Sequence, residues 1–194
     1  MSSGSSPALT ILIIRHAEKH GEQWPGPGLT PEGVQDDKSL VIRGWQRAGA
    51  WAALFGTELG GEKYPRPNMI YAANPDTSPI EEPSQRPFQT VIPLCKRLDL
   101  PPIVDFQVGQ ERELASAIVS GSGVILASWE HKAIANQLLP SIAGGQQIKN
   151  LPQQWDETRY DLVLRFDRSA PGVPWNFRQL CPCLLSEDSA KLME

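Results

Sequence analysis

Arg15-His16 follows directly on the apolar run Leu9–Ile14, and the pair sets a nucleophile-capable imidazole beside a fixed cation. Two further reactive sets lie downstream, Ser84-Gln85-Arg86 and Glu130-His131. A neutral imidazole nitrogen can divide one difficult phosphoryl displacement into two easier ones through a phosphohistidine. Two guanidiniums and two imidazoles gathered in a small volume need an anion to offset their repulsion. A phosphoryl group suits them, because its terminal oxygens take planar Arg forks and one line of attack stays open. In this chemistry His16 is the nucleophile, and its second ring nitrogen is tied to a backbone carbonyl so that the attacking nitrogen stays unprotonated. Arg15, Arg86 and His131 bind the equatorial oxygens and stabilise charge in the transition state. The scheme needs no metal and no cofactor.

Expelling an alkoxide takes a proton donor, worth about 10²-fold to 10⁴-fold. Three carboxylates compete for the role: Glu111, Glu113 and Glu130. In a helix starting near Gln110, Glu111 shares the inward face with Leu114, Ala115 and Ile118, whereas Glu113 points away. Glu130 adjoins His131, but neighbours on an extended chain point to opposite sides. Glu18 and Lys19 read as pocket-rim or structural residues, and His20 as a solvated loop residue.

The elements between these residues must bring them together. Leu9–Ile14, rich in β-branched side chains and without a charge, reads as a strand buried on both faces. The Pro- and Gly-rich segment from Gly21 to Asp37 is a long loop. A helix is expected from about Ile42 to Leu59, stopped by Gly60-Gly61, and a second buried strand over Met69–Ala73. A Pro-rich connection through Pro79 and Pro83 leads to Ser84, the expected N-cap of a helix with Val91, Leu94, Cys95 and Leu98 on its apolar face. Ile103–Phe106 is predicted as a short strand, Gln110–Val119 as a helix and Gly123–Ser128 as a strand. The helix after His131 carries Ile134, Leu138 and Leu139. Two late strands, within Tyr160–Phe166 and Trp175–Leu184, have no helix between them and should form an antiparallel edge. The alternation predicts an α/β three-layer sandwich with a mostly parallel central sheet and helices on both faces. Such sheets bind ligands at the carboxyl ends of their strands, where all three reactive sets fall.

The chain of 194 residues fits a single domain, with residues 1–7 and 186–194 expected to be loose tails. Its 18 basic and 22 acidic residues give a net charge of −4 without a basic stripe, which argues against nucleic acid as a partner. The apolar run at Leu9 is too short to span a membrane, so a cytoplasmic protein is expected. Cys95, Cys181 and Cys183 lack the spacing of a zinc or redox site and read as reduced thiols. The partner expected for the two-Arg, two-His set is a phosphorylated small molecule or phosphoprotein, and oligomeric state stays open.

The sequence resembles the histidine phosphatase superfamily, which includes cofactor-dependent phosphoglycerate mutases and many small phosphatases. Arg15-His16-Ala17-Glu18 is similar to the Arg-His-Gly motif that follows the family's first strand, with Ala for Gly. Leu40 to Ala48 resembles its Leu-Thr-x-x-Gly-x-x-Gln-Ala segment, and Ser84 to Thr90 its Ser-x-Arg-x-x-Gln-Thr helix start. Val124 to His131 resembles the strand that delivers the second catalytic His. The likeness spans roughly residues 8 to 140 in the family's order. It implies phosphorylation of His16, phosphate contacts from Arg15 and Arg86, and closure of the pocket by His131. It also favours Glu111 as the acid, in the interval where family members often place that carboxylate. Glu22 stands where the family often has a phosphate-touching Asn, and Glu130 replaces the usual Gly before the second His. The activity so implied is a phosphatase acting on a phosphomonoester or a phosphorylated side chain. The alternatives are a phospho-ligand binding module with little turnover and a phosphoglycerate mutase-like phosphotransferase.

Overall fold

The computed structural model describes residues 8–77 and 83–194. The expectations for residues 1–7 and for Pro79 lie outside the described residues. Among the described residues five strands form one mixed sheet: β1 (Leu9–Arg15), β2 (Met69–Ala72), β3 (Gly123–Trp129), β4 (Val163–Arg168) and β5 (Asn176–Leu180), in the order β2-β3-β1-β4-β5. β1, β2 and β3 run parallel, while β4 is antiparallel to both β1 and β5. The late strands therefore form the antiparallel side expected of them, although each is shorter than its apolar run.

Alternation along β1 explains the layers. Leu12 and Ile14 face one cluster, with Ile70 and Leu126 from the neighbouring strands. That face is covered by α1 (Ile42–Phe55) and α2 (Arg86–Leu98) through Trp51, Phe55, Val91 and Leu94. Ile11 and Ile13 face the other cluster, with Ile125, Ala127 and Trp129. There the cover is α3 (Glu111–Ser120) and α4, a continuous helical stretch over residues 131–143, through Leu114, Ile118, Ile134 and Leu138. A strand covered on both faces has no polar side, which is why β1 reads as an uninterrupted apolar run. The middle of α4, Ile134–Leu138, is a π turn.

Four local expectations are corrected. α1 ends at Phe55, where the Gly56 N–H still bonds the Ala52 carbonyl; Thr57 then caps a separate 3₁₀ turn over Glu58–Gly60. Ile103–Phe106 is not a strand: Ile103 makes one parallel bridge to Tyr71, and Pro101 and Pro102 before it have no N–H to extend a ladder. Ser84 lies one residue outside the cap position, which Gln85 occupies, and its hydroxyl accepts from the Arg86 N–H at 3.3 Å. The C-terminal segment is not loose. Asp188 bonds Arg47, the Ser189 N–H donates to Asp161, and Gln179 holds both the N–H and the carbonyl of Met193.

Among the described residues no helix is long and apolar enough to cross a membrane. Register places the chemistry: Arg15 stands opposite Trp129, and Ala72 opposite Ser128. His16, Ala73-Asn74 and Glu130-His131 thus leave three adjacent parallel strands at one sheet edge.

Candidate active site

His16 continues the β1 ladder by one bond, its N–H donating to the Trp129 carbonyl at 3.0 Å. Its ring lines a cavity of about 370 Å³ and is almost fully buried. Nδ1 lies 2.8 Å from the Ala17 carbonyl oxygen. A carbonyl oxygen only accepts, so Nδ1 carries the hydrogen and Nε2 holds the free lone pair. Burial, followed by the charge of Arg15, holds the His16 pKa well below the ordinary 6.5. The ring is therefore neutral at physiological pH, in the tautomer that a nitrogen nucleophile requires.

The three expected partners divide. Arg86 and His131 line the same cavity as His16. Arg86 also braces the loop before α1, its Nε donating to the Ser39 carbonyl at 3.3 Å and its Nη2 to that of Asp37. His131, at the start of α4, is 5% exposed, and neither of its ring nitrogens has a hydrogen-bond partner among the described residues. Arg15 does not line the cavity. Its Nη1 donates to the carbonyls of Glu157 at 2.7 Å and Arg159 at 3.1 Å, and its guanidinium carbon lies 3.8 Å from the centroid of the Tyr160 ring. Arg15 Nε is buried without a partner.

The carboxylates divide as well. Glu111 is fully buried and absent from the cavity wall: its Oε1 accepts from Trp129 Nε1 at 2.8 Å and from the Gly109 N–H at 2.9 Å. Glu113 is exposed on α3. Glu130 alone of the three lines the cavity. Its Oε2 caps α4 by accepting the Ala133 N–H at 2.7 Å, and its Oε1 lies 2.6 Å from His131 Nδ1, a charge contact bent away from hydrogen-bond geometry. Burial raises the Glu130 pKa, but His131 and the backbone N–H groups of Lys132 and Ala133 outweigh it and bring it down to about 2. Among the described residues no cluster of three His, Cys, Asp or Glu side chains is placed to hold a metal ion.

No protein-family model matches the chain, and no curated protein matches it. Among solved structures it is similar to a mycobacterial hydrolase, with a TM-score of 0.52 and 12% identity over 88% of this chain and 97% of that one. It is also similar to a mycobacterial glucosyl-3-phosphoglycerate phosphatase, with a TM-score of 0.50 and 13% identity over the same shares of the two chains. The chain shares the fold of these two hydrolases. At such identities the likeness is one of fold, and the chemistry has to rest on the residues themselves.

Within this fold, several polar residues of the cavity wall were not singled out from sequence: Asn74, Lys132, Asn136 and Gln137. Asn74 follows β2 at the ligand edge of the sheet, a position that could have flagged it. Asn136 and Gln137 sit on the π turn, which has no signature in a helical apolar pattern. Lys19 lines the wall too, as a rim residue. Burial, with Arg86 and Arg15 behind it, lowers the Lys19 pKa.

The motif residues that touch nothing in the cavity clamp the nucleophile's loop instead. Thr90 Oγ1 accepts the Ala17 N–H at 2.8 Å and donates to the Arg86 carbonyl at 2.7 Å, joining the loops that carry His16 and Arg86. Gln89 accepts the Leu40 N–H and donates to Ser39 Oγ. Gly44 permits α1 to approach so closely that a Cβ there would lie 2.5 Å from the Glu18 carbonyl oxygen.

Proposed function

We propose that this protein is a phosphatase of the histidine type, hydrolysing a phosphomonoester or a phosphorylated side chain through a phosphohistidine on His16. The observation that carries this reading is the His16 Nδ1 contact with the Ala17 carbonyl, which leaves Nε2 unprotonated in a cavity walled by cations. The phosphoryl group sits among Arg86, Lys19 and His131, with Nε2 of His16 in line with the scissile bond. Arg86 takes equatorial oxygens as charge builds in the transition state, while His131 stands on the side of the leaving oxygen. Arg15 works at longer range, since its charge helps keep His16 neutral. Water then attacks the phosphohistidine and returns His16 to its starting state.

A cavity of about 370 Å³ accommodates a small phosphorylated molecule or one phosphorylated side chain. The test is release of phosphate from an aryl phosphate, whose leaving group needs little help from an acid. Turnover by the wild type and its abolition in His16→Ala support a phosphatase. Tight phosphate binding without release at any pH supports a phospho-ligand binding module instead, and transfer to a second hydroxyl acceptor in place of water supports a phosphotransferase.

A further inference from the structure

We infer that His131, held by the Glu130 carboxylate, is the proton donor to the leaving group, a step that rests on the phosphatase reading above. Two facts of placement lead there. The carboxylate expected to act, Glu111, is buried and does not line the cavity, and its Oε1 is committed to Trp129 and Gly109. Glu130, the one carboxylate of the described cavity wall, is fully ionised at neutral pH and has no proton to give.

Glu130 is nevertheless bound to the task by geometry. Its Oε2 is fixed on the first turn of α4, which places Oε1 2.6 Å from His131 Nδ1. An anion at that distance supplies the counter-charge that an imidazolium requires, with hydrogens on both ring nitrogens. His131 lines the cavity, its Nε2 is buried without a hydrogen-bond partner, and the largely exposed Glu157 lies 3.7 Å from that nitrogen. Glu157 is itself drawn off by Lys132 at 3.4 Å.

The proton balance closes over both steps. In the first, His16 Nε2 bonds to phosphorus, the ester P–O bond breaks, and the leaving oxygen takes its electron pair and the proton from His131 Nε2. In the second, water attacks phosphorus and gives its proton to the now neutral His131 Nε2, and the P–N bond breaks with its electrons returning to His16. His131 is a catalytic residue in this scheme and Glu130 a positioning residue.

The experiment measures single-turnover rates for a series running from nitrophenyl to alkyl phosphates, read as the slope of log rate on leaving-group pKa. The wild-type slope is expected to be shallow. Glu130→Gln keeps an oxygen to accept the Ala133 N–H, so the α4 cap survives, yet its slope should steepen, with alkyl phosphates losing about 10²-fold to 10⁴-fold and nitrophenyl phosphate far less. His131→Asn should steepen it similarly, and the double variant no further, because the two act as one unit. Glu111→Gln should keep the wild-type slope. Equal losses on all substrates in Glu130→Gln, or a steeper slope in Glu111→Gln, overturn the inference and leave the phosphohistidine intact. Failure of the wild type on nitrophenyl phosphate overturns the phosphatase reading and this inference with it.

Discussion

Glu18 Oε1 accepts two hydrogen bonds from Arg47, from Nε at 2.9 Å and from Nη2 at 2.8 Å, two residues beyond the nucleophile. The other side of the same guanidinium holds Asp188 at 2.7 Å and 3.1 Å, and all three side chains are almost wholly buried. One arginine thus ties the His16 loop, α1 and the C-terminal segment together. Arg47→Met leaves Asp188 buried without its ion-pair partner and Glu18 with only Arg43 Nε at 3.8 Å, so a loss of about 3 to 5 kcal/mol in stability is expected by urea unfolding. A loss below about 1 kcal/mol would show the network to be incidental.

Asp188 gives that network a pH dependence. Burial raises its pKa, but Arg47 and the Leu185 N–H outweigh burial, so its folded value lies below the ordinary 3.8. A depressed carboxylate contributes stability above its unfolded pKa and loses it as pH falls through the folded value. Thermal unfolding should show an acid-induced drop in stability below about pH 4 that is smaller in Asp188→Asn.

His16 adds to the loss of stability towards acid, by resisting a charge rather than by losing one. Its folded pKa is lowered, chiefly by burial and then by Arg15, so the unfolded chain takes up a proton below pH 6.5 that the folded chain refuses. Stability should therefore fall as pH drops below 6.5, and His16→Asn should flatten that fall. For the same reason kcat/KM, corrected for ionisation of the substrate, should show no loss at pH 6.5 attributable to the nucleophile.

Thr90 joins the nucleophile's loop to α2 through the Ala17 N–H. Thr90→Val keeps the shape and removes the acceptor, leaving that N–H buried and unpaired. A cost of about 1 to 3 kcal/mol is expected, together with a lower kcat as His16 loses its fixed position. An unchanged kcat in a folded variant would contradict the clamp.

Arg86→Ala should lower turnover by about 10²-fold to 10³-fold, the scale for one lost donor to developing charge. Arg86→Lys should recover only part of it, because an ammonium cannot reproduce the planar fork. Full recovery in Arg86→Lys would mean that the charge alone matters.

Much of the site could be read from sequence because β1 and β3 are short buried strands with reactive residues immediately after them. Such runs fix both the strand and the edge at which it ends. Glu111 was legible as inward-facing but not as to what it faced. The apolar face of α3 packs on the sheet, where the buried Trp129 N–H needs an acceptor, and Glu111 supplies it. Arg15 was legible as a fixed cation at the end of β1, yet its tie to the carbonyls of Glu157 and Arg159 depends on a contact more than 140 residues away. The C-terminal segment was misjudged for a similar reason. Its polar residues are ordered by Arg47 and Asp161, and local composition carries no trace of such partners. The π turn of α4 departs from the helical period on which sequence reading relies, so Asn136 and Gln137 could not be assigned a direction.

The most direct measurement is to mix the protein with a substrate it turns over, quench in alkaline denaturant within the first turnover, and locate the phosphoryl group by peptide mass spectrometry. The expected result is a single acid-labile phosphoryl group on the peptide that contains His16, absent from His16→Asn. Product release in the first turnover with no phosphorylated peptide, or with the group on Ser84, would contradict His16 as the nucleophile.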